Sequence, residues 1–143
     1  MATLSNLIPT GSAGIGFPPA GYAGCGFARG TELGFADPLV LGSGVSDTSD
    51  PILVGGYTGF MLTVENITGA GTVTISFNHL DPQTGVAVIN RSIAAAISGP
   101  QTRTFGAFST VGAVDVYGTI NLVFLANAAT ETITGIRLWG HTR

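Results

Sequence analysis

The sequence predicts an all-β protein, an antiparallel β-sandwich with jelly-roll-like connections, preceded by an extended N-terminal arm rich in glycine and proline. Three observations carry this. From residue 52 onward, short β-branched and aromatic runs recur at intervals of about 8 to 12 residues with turn residues between them, the rhythm of a sandwich or barrel. No run combines the length and period of a stable helix. Residues 1–50 hold ten of the 22 glycines and four of the seven prolines, with no sustained hydrophobic period. The expected organisation is therefore an arm over 1–50 and a sandwich domain over 51–143.

Within the arm, proline removes backbone donors and glycine weakens strand and helix interiors, so regular structure is expected only in short pieces such as "ELGFADPLVL". "GSGVSDTSDP" reads as a turn or hinge. The first sandwich strand is "GFMLTVENI", with Phe60, Leu62 and Val64 on one face and Met61, Thr63 and Glu65 on the other, the period of two of a half-buried strand. "TVTISFNHL" repeats the alternation with Val73, Ile75 and Phe77. The "TGAG" between these runs predicts that they pair as a hairpin.

"DPQTG" carries an Asp-Pro turn start and a closing glycine, and so reverses the chain into a third strand, "VAVINRSI". "AAAI" is too short for a helix before Gly99 and Pro100 and reads as a loop or strand edge. "QTRTFGAFST" is a further strand, and "VDVYGTINLVFLANA" a buried one with a kink at Gly118. "NAATET" reads as a hairpin turn into the last strand, where Ile133 falls out of phase with Ile136 and Leu138 and implies a bulge near Gly135.

A chain of 143 residues is one ordinary domain, long enough to bury a core without disulfides or metals. Only 9% of its residues are charged, against about 25% in soluble domains. Five arginines, no lysine and eight acids give a net charge of −3. A surface so poor in charge suits a protein covered by copies of itself or by a larger assembly. The scattered arginines offer no basic stripe, which argues against nucleic acid as a partner. No run is long and apolar enough for a membrane helix, and "MATLSNLIPTGSAG" lacks the marks of a secretory signal, so no membrane role and a cytosolic start are expected. Cys25, the single cysteine, reads as a small buried apolar residue.

Chemistry finds little support in the residues, and neither a catalytic role nor a cofactor nor a metal is expected. His79 and His141 stand in no recognisable triad or nucleophile elbow. The Gly-x-Gly stretches in "GIGFPPAG" and "GCGFARG" neither follow a strand nor open a helix, as a phosphate loop requires. "DTSD" at 47–50 is a weaker candidate for calcium than for a turn. Strand alternation puts Trp139 and Arg137 together on the face opposite Ile136 and Leu138, where they suit an interface, with Trp139 also weighed as a core residue or a sugar platform. In the arm, Phe17, Tyr22 and Phe27 are five residues apart and separated by Gly, Ala and Pro, a spacing suited to anchors that drop successively into a partner's pockets.

The strands "GFMLTVENITGAGTVTISFNHLDPQTGVAVI" and "INLVFLANAATETITGIRLWGH", after a glycine-rich N-terminal stretch, resemble the small β-sandwich virion proteins of tailed bacteriophages, most of all capsid decoration or cement proteins. The resemblance covers roughly residues 52–143. It implies a non-enzymatic structural protein, made in the host cytoplasm and then held in many copies on the outer surface of the phage head. The implied partners are the major capsid protein and the chain itself, as a homotrimer or homodimer. The capsid-gripping or subunit-interface residues are then Phe17, Pro18, Pro19, Tyr22, Phe27 and Phe35 along the arm, with Arg137 and Trp139 on the sandwich. The alternative is a neck, tail or head-fibre protein whose sandwich serves attachment or carbohydrate binding.

Overall fold

The computed structural model describes residues 2–4, 26–54, 57–107, 116 and 118–141. The arm positions Phe17, Pro18, Pro19, Tyr22 and Cys25 lie outside the described residues. The described chain is all strand and turn: β1 Ala2–Thr3, β2 Gly26–Arg29, β3 Leu39–Leu41, β4 Ser46–Thr48, β5 Ile52–Leu53, β6 Gly59–Val64, β7 Asn66–Gly69, β8 Val73–Leu80, β9 Ala87–Ile97, β10 Gln101–Gly106, β11 Thr119–Ala126, β12 Glu131–Thr134 and β13 Arg137–His141.

Several of these are two halves of one bent or broken line. Taken together, β2 with β3, β4 with β5, β6 with β7, β8, β9, β10, β11, and β12 with β13 make eight lines in chain order. One sheet runs β10-β6-β13-β2 and continues past a bend as β3-β12-β7, which places the first, eighth, third and sixth lines side by side. The other runs β5-β11-β8-β9, with β4 also on β11 and β1 outside β5, which places the second, seventh, fourth and fifth side by side. This ordering, with consecutive lines crossing between sheets, is a jelly roll of two Greek keys. The expected fold class is thus the observed one.

Two expected pairings are corrected by this topology. The runs on either side of "TGAG" do not form a hairpin, because β6 pairs with β10 and β13 while β8 pairs with β9 and β11. "NAATET" likewise carries the chain from β11 in one sheet to β12 in the other. Each of these runs has one buried face, and two such faces bury more apolar surface stacked across a sandwich than lying side by side. The hairpin at "DPQTG" does form: Asp81 Oδ1 accepts the amides of Gln83 at 2.8 Å and Thr84 at 3.2 Å, and Gly85 at φ +72° closes the turn.

The boundary at residue 50 is also corrected. Residues 26–50 fall on the arm side of the composition change, yet β2 pairs with β13, β3 with β12 and β4 with β11, so they belong to the sandwich. Short strands suffice here because they sit at sheet edges and lean on longer neighbours. Between β4 and β5 the line breaks at Ser49, whose hydroxyl oxygen accepts the Leu122 amide at 2.9 Å in place of a backbone carbonyl. The Ser49 amide donates to the Leu122 carbonyl at 2.8 Å, so the ladder to β11 stays satisfied across the break.

The alternation read from the sequence sets the core. Phe60, Leu62 and Val64 of β6 face Ile75 and Phe77 of β8 and Leu122 and Phe124 of β11, all at most 2% exposed. Phe105 stacks on its cross-strand partner Phe60 at 5.1 Å and, across the sandwich, on Phe77 at 5.2 Å, so three rings tie the two sheets together. Phe35, expected to grip a partner, is 2% exposed and packs edge-on against Phe124 at 5.1 Å. It is a core residue, brought inward by the loop between β2 and β3.

One buried carboxylate escaped the sequence reading. Glu131 of β12 is fully buried opposite Gly69, and its Oε2 accepts the Gly71 amide at 3.1 Å. Gly69, the first glycine of "TGAG", makes room for it, since a Cβ there would overlap the carboxylate.

The outermost strand β9 is exposed at every residue from Ala87 to Ser92, with Val88 59% exposed. It pairs regularly with β8 only from Ile89 to Ser92, between register shifts at either end, and Arg91 lies opposite the core residue Phe77. Bulges and a charged residue on the edge are devices that blunt a sheet edge against further pairing.

Replacing Phe77 by alanine removes the ring that bridges the sheets and is expected to destabilise the fold by about 3–5 kcal/mol. Equilibrium urea unfolding checks this, with Thr104→Ala on the outer face expected to stay within about 0.5 kcal/mol of wild type.

Candidate functional site

The outer face of the β10-β6-β13-β2 sheet carries the chain's most distinctive surface. Because Phe60, Leu62, Leu138 and Ala28 point inward, their neighbours point outward in rows that cross the strands. One row is Thr104, Met61, Trp139 and Phe27. The next is Thr102, Thr63, Arg137 and Arg29.

In the first row the Trp139 and Phe27 rings meet with centroids 4.5 Å apart at 59°. Phe27 is only 5% exposed, while Trp139 is half-buried. Phe27 also takes the Arg29 guanidinium over its face at 5.4 Å. In the second row Arg137 is exposed and stands directly opposite Arg29. Arg29 has one ionic partner, Glu32 at 4.0 Å, and both side chains are about half exposed, so the pair contributes little.

Beyond the arginine row the sheet bends. β6 gives way to β7 at Glu65, β12 to β13 at Gly135, and β2 ends where Gly30 donates its amide to the Ile136 carbonyl at 2.7 Å. Gly135 has φ +66°, a conformation costly for a residue with a side chain. A Cβ there would lie 2.5 Å from Glu65 Cβ and 2.7 Å from Glu65 Oε2, so the glutamate lies across this glycine. From the other side Asp37 Oδ1 accepts the Gly135 amide at 3.4 Å. Two carboxylates thus converge on one backbone position, beside the two arginines. Arg29, Thr31, Asp37, Glu65 and Arg137 line a polar cleft of about 110 Å³ at the bend.

Of the expected interface residues within the described chain, Phe27, Arg137 and Trp139 come together on this face, and Phe35 does not. The shared face of Arg137 and Trp139 follows from the alternation of β13. Met61, Arg29, Asp37 and Glu65 were not singled out from the sequence. The phase slip between Ile133 and Ile136 marks the bend itself, but which residues of neighbouring strands meet there depends on register.

The stretch has the composition of a contact surface: Trp, Phe, Met and Arg are the residues enriched where proteins meet. The Trp139 ring is occupied on one side by Phe27, which leaves less of it for a flat ligand.

No protein-family model matches this chain, and no curated protein matches it in sequence. Solved structures match in fold. A chain of infectious bursal disease virus, Gt strain, superposes with a TM-score of 0.51 at 14% identity, over 82% of this chain and 31% of that one. The Gx strain matches at a TM-score of 0.50 and 14% identity, over 82% and 32%. A chain of the T13 viral particle of the same virus matches at 0.50 and 16% identity, over 82% and 31%. This chain spans about a third of the length of these viral chains, and the likeness is one of fold.

Gly135→Ala is expected to destabilise the protein by at least about 1–2 kcal/mol, since the backbone conformation and the Glu65 crossing both oppose a methyl group. Glu32→Ala is expected to cost less than about 1 kcal/mol. Thermal unfolding of the two variants beside wild type separates these outcomes.

Proposed function

We propose that this chain is a structural protein of a virus particle, and specifically a decoration or cement protein on the outer surface of an assembled phage head. There it stabilises contacts between subunits of the major capsid protein. The observation that carries the reading is the all-strand sandwich fold, which is similar to that of a chain of a viral particle. The charge-poor surface supports it, because a protein covered on assembly gains nothing from charges that must be desolvated.

The mechanism needs no chemical step. A protein that binds the assembled shell and not its separated subunits shifts the equilibrium toward the shell, by about 2.7 kcal/mol per site when present at a hundred times its dissociation constant. In this reading the arm, with Phe17, Pro18, Pro19 and Tyr22, grips the capsid. The sandwich is the outward body, and its Trp139–Arg137 face is the contact with another copy.

The test is the copy number of this chain against the major capsid protein in purified particles, by quantitative mass spectrometry. Hundreds of copies in a simple ratio to the shell protein are expected. A dozen or fewer moves the chain to the neck or tail, and its absence from particles overturns the reading. A Phe17→Ala/Tyr22→Ala variant is expected to bind particles at least about tenfold more weakly, since a single aromatic anchor commonly contributes more than 1 kcal/mol. Pelleting the variant with particles that lack the wild-type chain measures this.

A further inference from the structure

We propose that the outer face of the β10-β6-β13-β2 sheet is self-complementary and docks a second copy of this chain about a two-fold axis, the arginine row of each copy lying on the carboxylates of the other. This deepens the oligomer contact of the reading above, and rests on it only in taking the chain to work beside its own copies.

The placement of charge carries the proposal. The chain has 13 charged residues, and five of them, Arg29, Glu32, Asp37, Glu65 and Arg137, gather at this one bend. Glu32 neighbours Arg29, and the other three are set apart from any ion pair among the described residues. Arg29 stands directly opposite Arg137, an arrangement that repels. Glu65 and Asp37 converge on Gly135. Apart from Arg29 with Glu32, no described cation and carboxylate at this bend come within 4.0 Å. The isolated chain therefore holds arginines and carboxylates around one cleft, with Arg137, Glu65 and Asp37 in no ion pair among the described residues.

A second copy supplies counter-charges to both signs at once. Rotation by a half-turn about an axis between the arginines and the carboxylates sets each arginine row over the partner's carboxylates. Two contacts form for one docking event, with guanidinium forks suited to bidentate pairing with carboxylates. A purely acidic partner fits less well, because the face presents three carboxylates beside its two arginines. A ring of three or more copies fits less well too, since ring contacts join different surfaces of each subunit, whereas both signs lie on one face. The same rotation carries Trp139 and Met61 of each copy toward the bent end of the other's sheet, where Thr132 and Thr134 point outward from β12. The exposure of Arg137, Glu65 and Asp37 leaves them open to a partner.

The test is sedimentation of the full chain with charge reversals. Wild type is expected to form a dimer that weakens by about tenfold or more between about 0.1 M and 1 M salt, as the screening length falls from about 10 Å to about 3 Å. Arg137→Glu and Glu65→Arg are each expected to weaken association at least about 30-fold, because each sets like charges against one another twice. An equimolar mixture of the two variants restores both pairs, so it is expected to form a one-to-one dimer of wild-type affinity. That recovery also shows that both variants fold. The proposal is overturned if wild type is monomeric at about 100 μM in low salt, if either reversal leaves association unchanged, or if the mixture stays monomeric. Failure here, with hundreds of copies on particles, removes only the pairing; absence from particles, with the mixture dimeric, removes only the virion reading.

Discussion

Glu65 can cross the neighbouring strand only because Gly135 has no Cβ and adopts φ +66°, and this close approach fixes where the first sheet bends. Much else follows from the bend. It splits one set of lines into β10-β6-β13-β2 and β3-β12-β7, so a single twisted sheet can wrap two sides of the core. It sets the exit of β2, from which the chain loops inward to bury Phe35 against Phe124 before returning as β3. It also brings Asp37 back toward Gly135, which completes the cluster of charge at the outer surface. A local backbone requirement thus shapes both the interior and the face that looks outward.

Against that bend, the aromatic seam holds the sheets in register. Phe60 and Phe105 belong to adjacent strands of one sheet and Phe77 to the other, and their stacked rings leave little freedom for the sheets to slide. Two polar groups inside take backbone amides where strands break. Ser49 substitutes a hydroxyl for a missing carbonyl on the edge of β11, and Glu131 takes the amide of Gly71. Both sit where the chain departs from regular pairing, which is where an amide would otherwise be stranded.

The strands were legible from the sequence because each buries one face: the alternation of Phe60, Leu62 and Val64, or of Val73, Ile75 and Phe77, states which side is inside. Which strands lie side by side was not legible from turns alone. "TGAG" looks like a hairpin turn, yet Gly69 clears the Glu131 carboxylate and Gly71 gives it an amide, on a strand some sixty residues later. Composition misled at the N-terminal side for a related reason. Residues 26–50 lack a hydrophobic period because they contribute edge strands of three or four residues, whose pairing depends on partners near the C-terminus. The contact face was half readable. Arg137 and Trp139 share a strand and so a face, while Arg29, Asp37 and Glu65 join them only through register and the bend.

The β9 edge has a consequence for handling a protein with so few charges. Val88 and Ile89 of this strand, with Val86 just before it, are exposed apolar residues on which another chain can pack. Only four residues, Ile89 to Ser92, form a straight template, bounded by bulges and interrupted by Arg91, whereas stacked fibril segments commonly need about six or seven. Growth by open-ended strand addition is thereby starved of length. At this edge, protection against further pairing resides in the geometry of one strand.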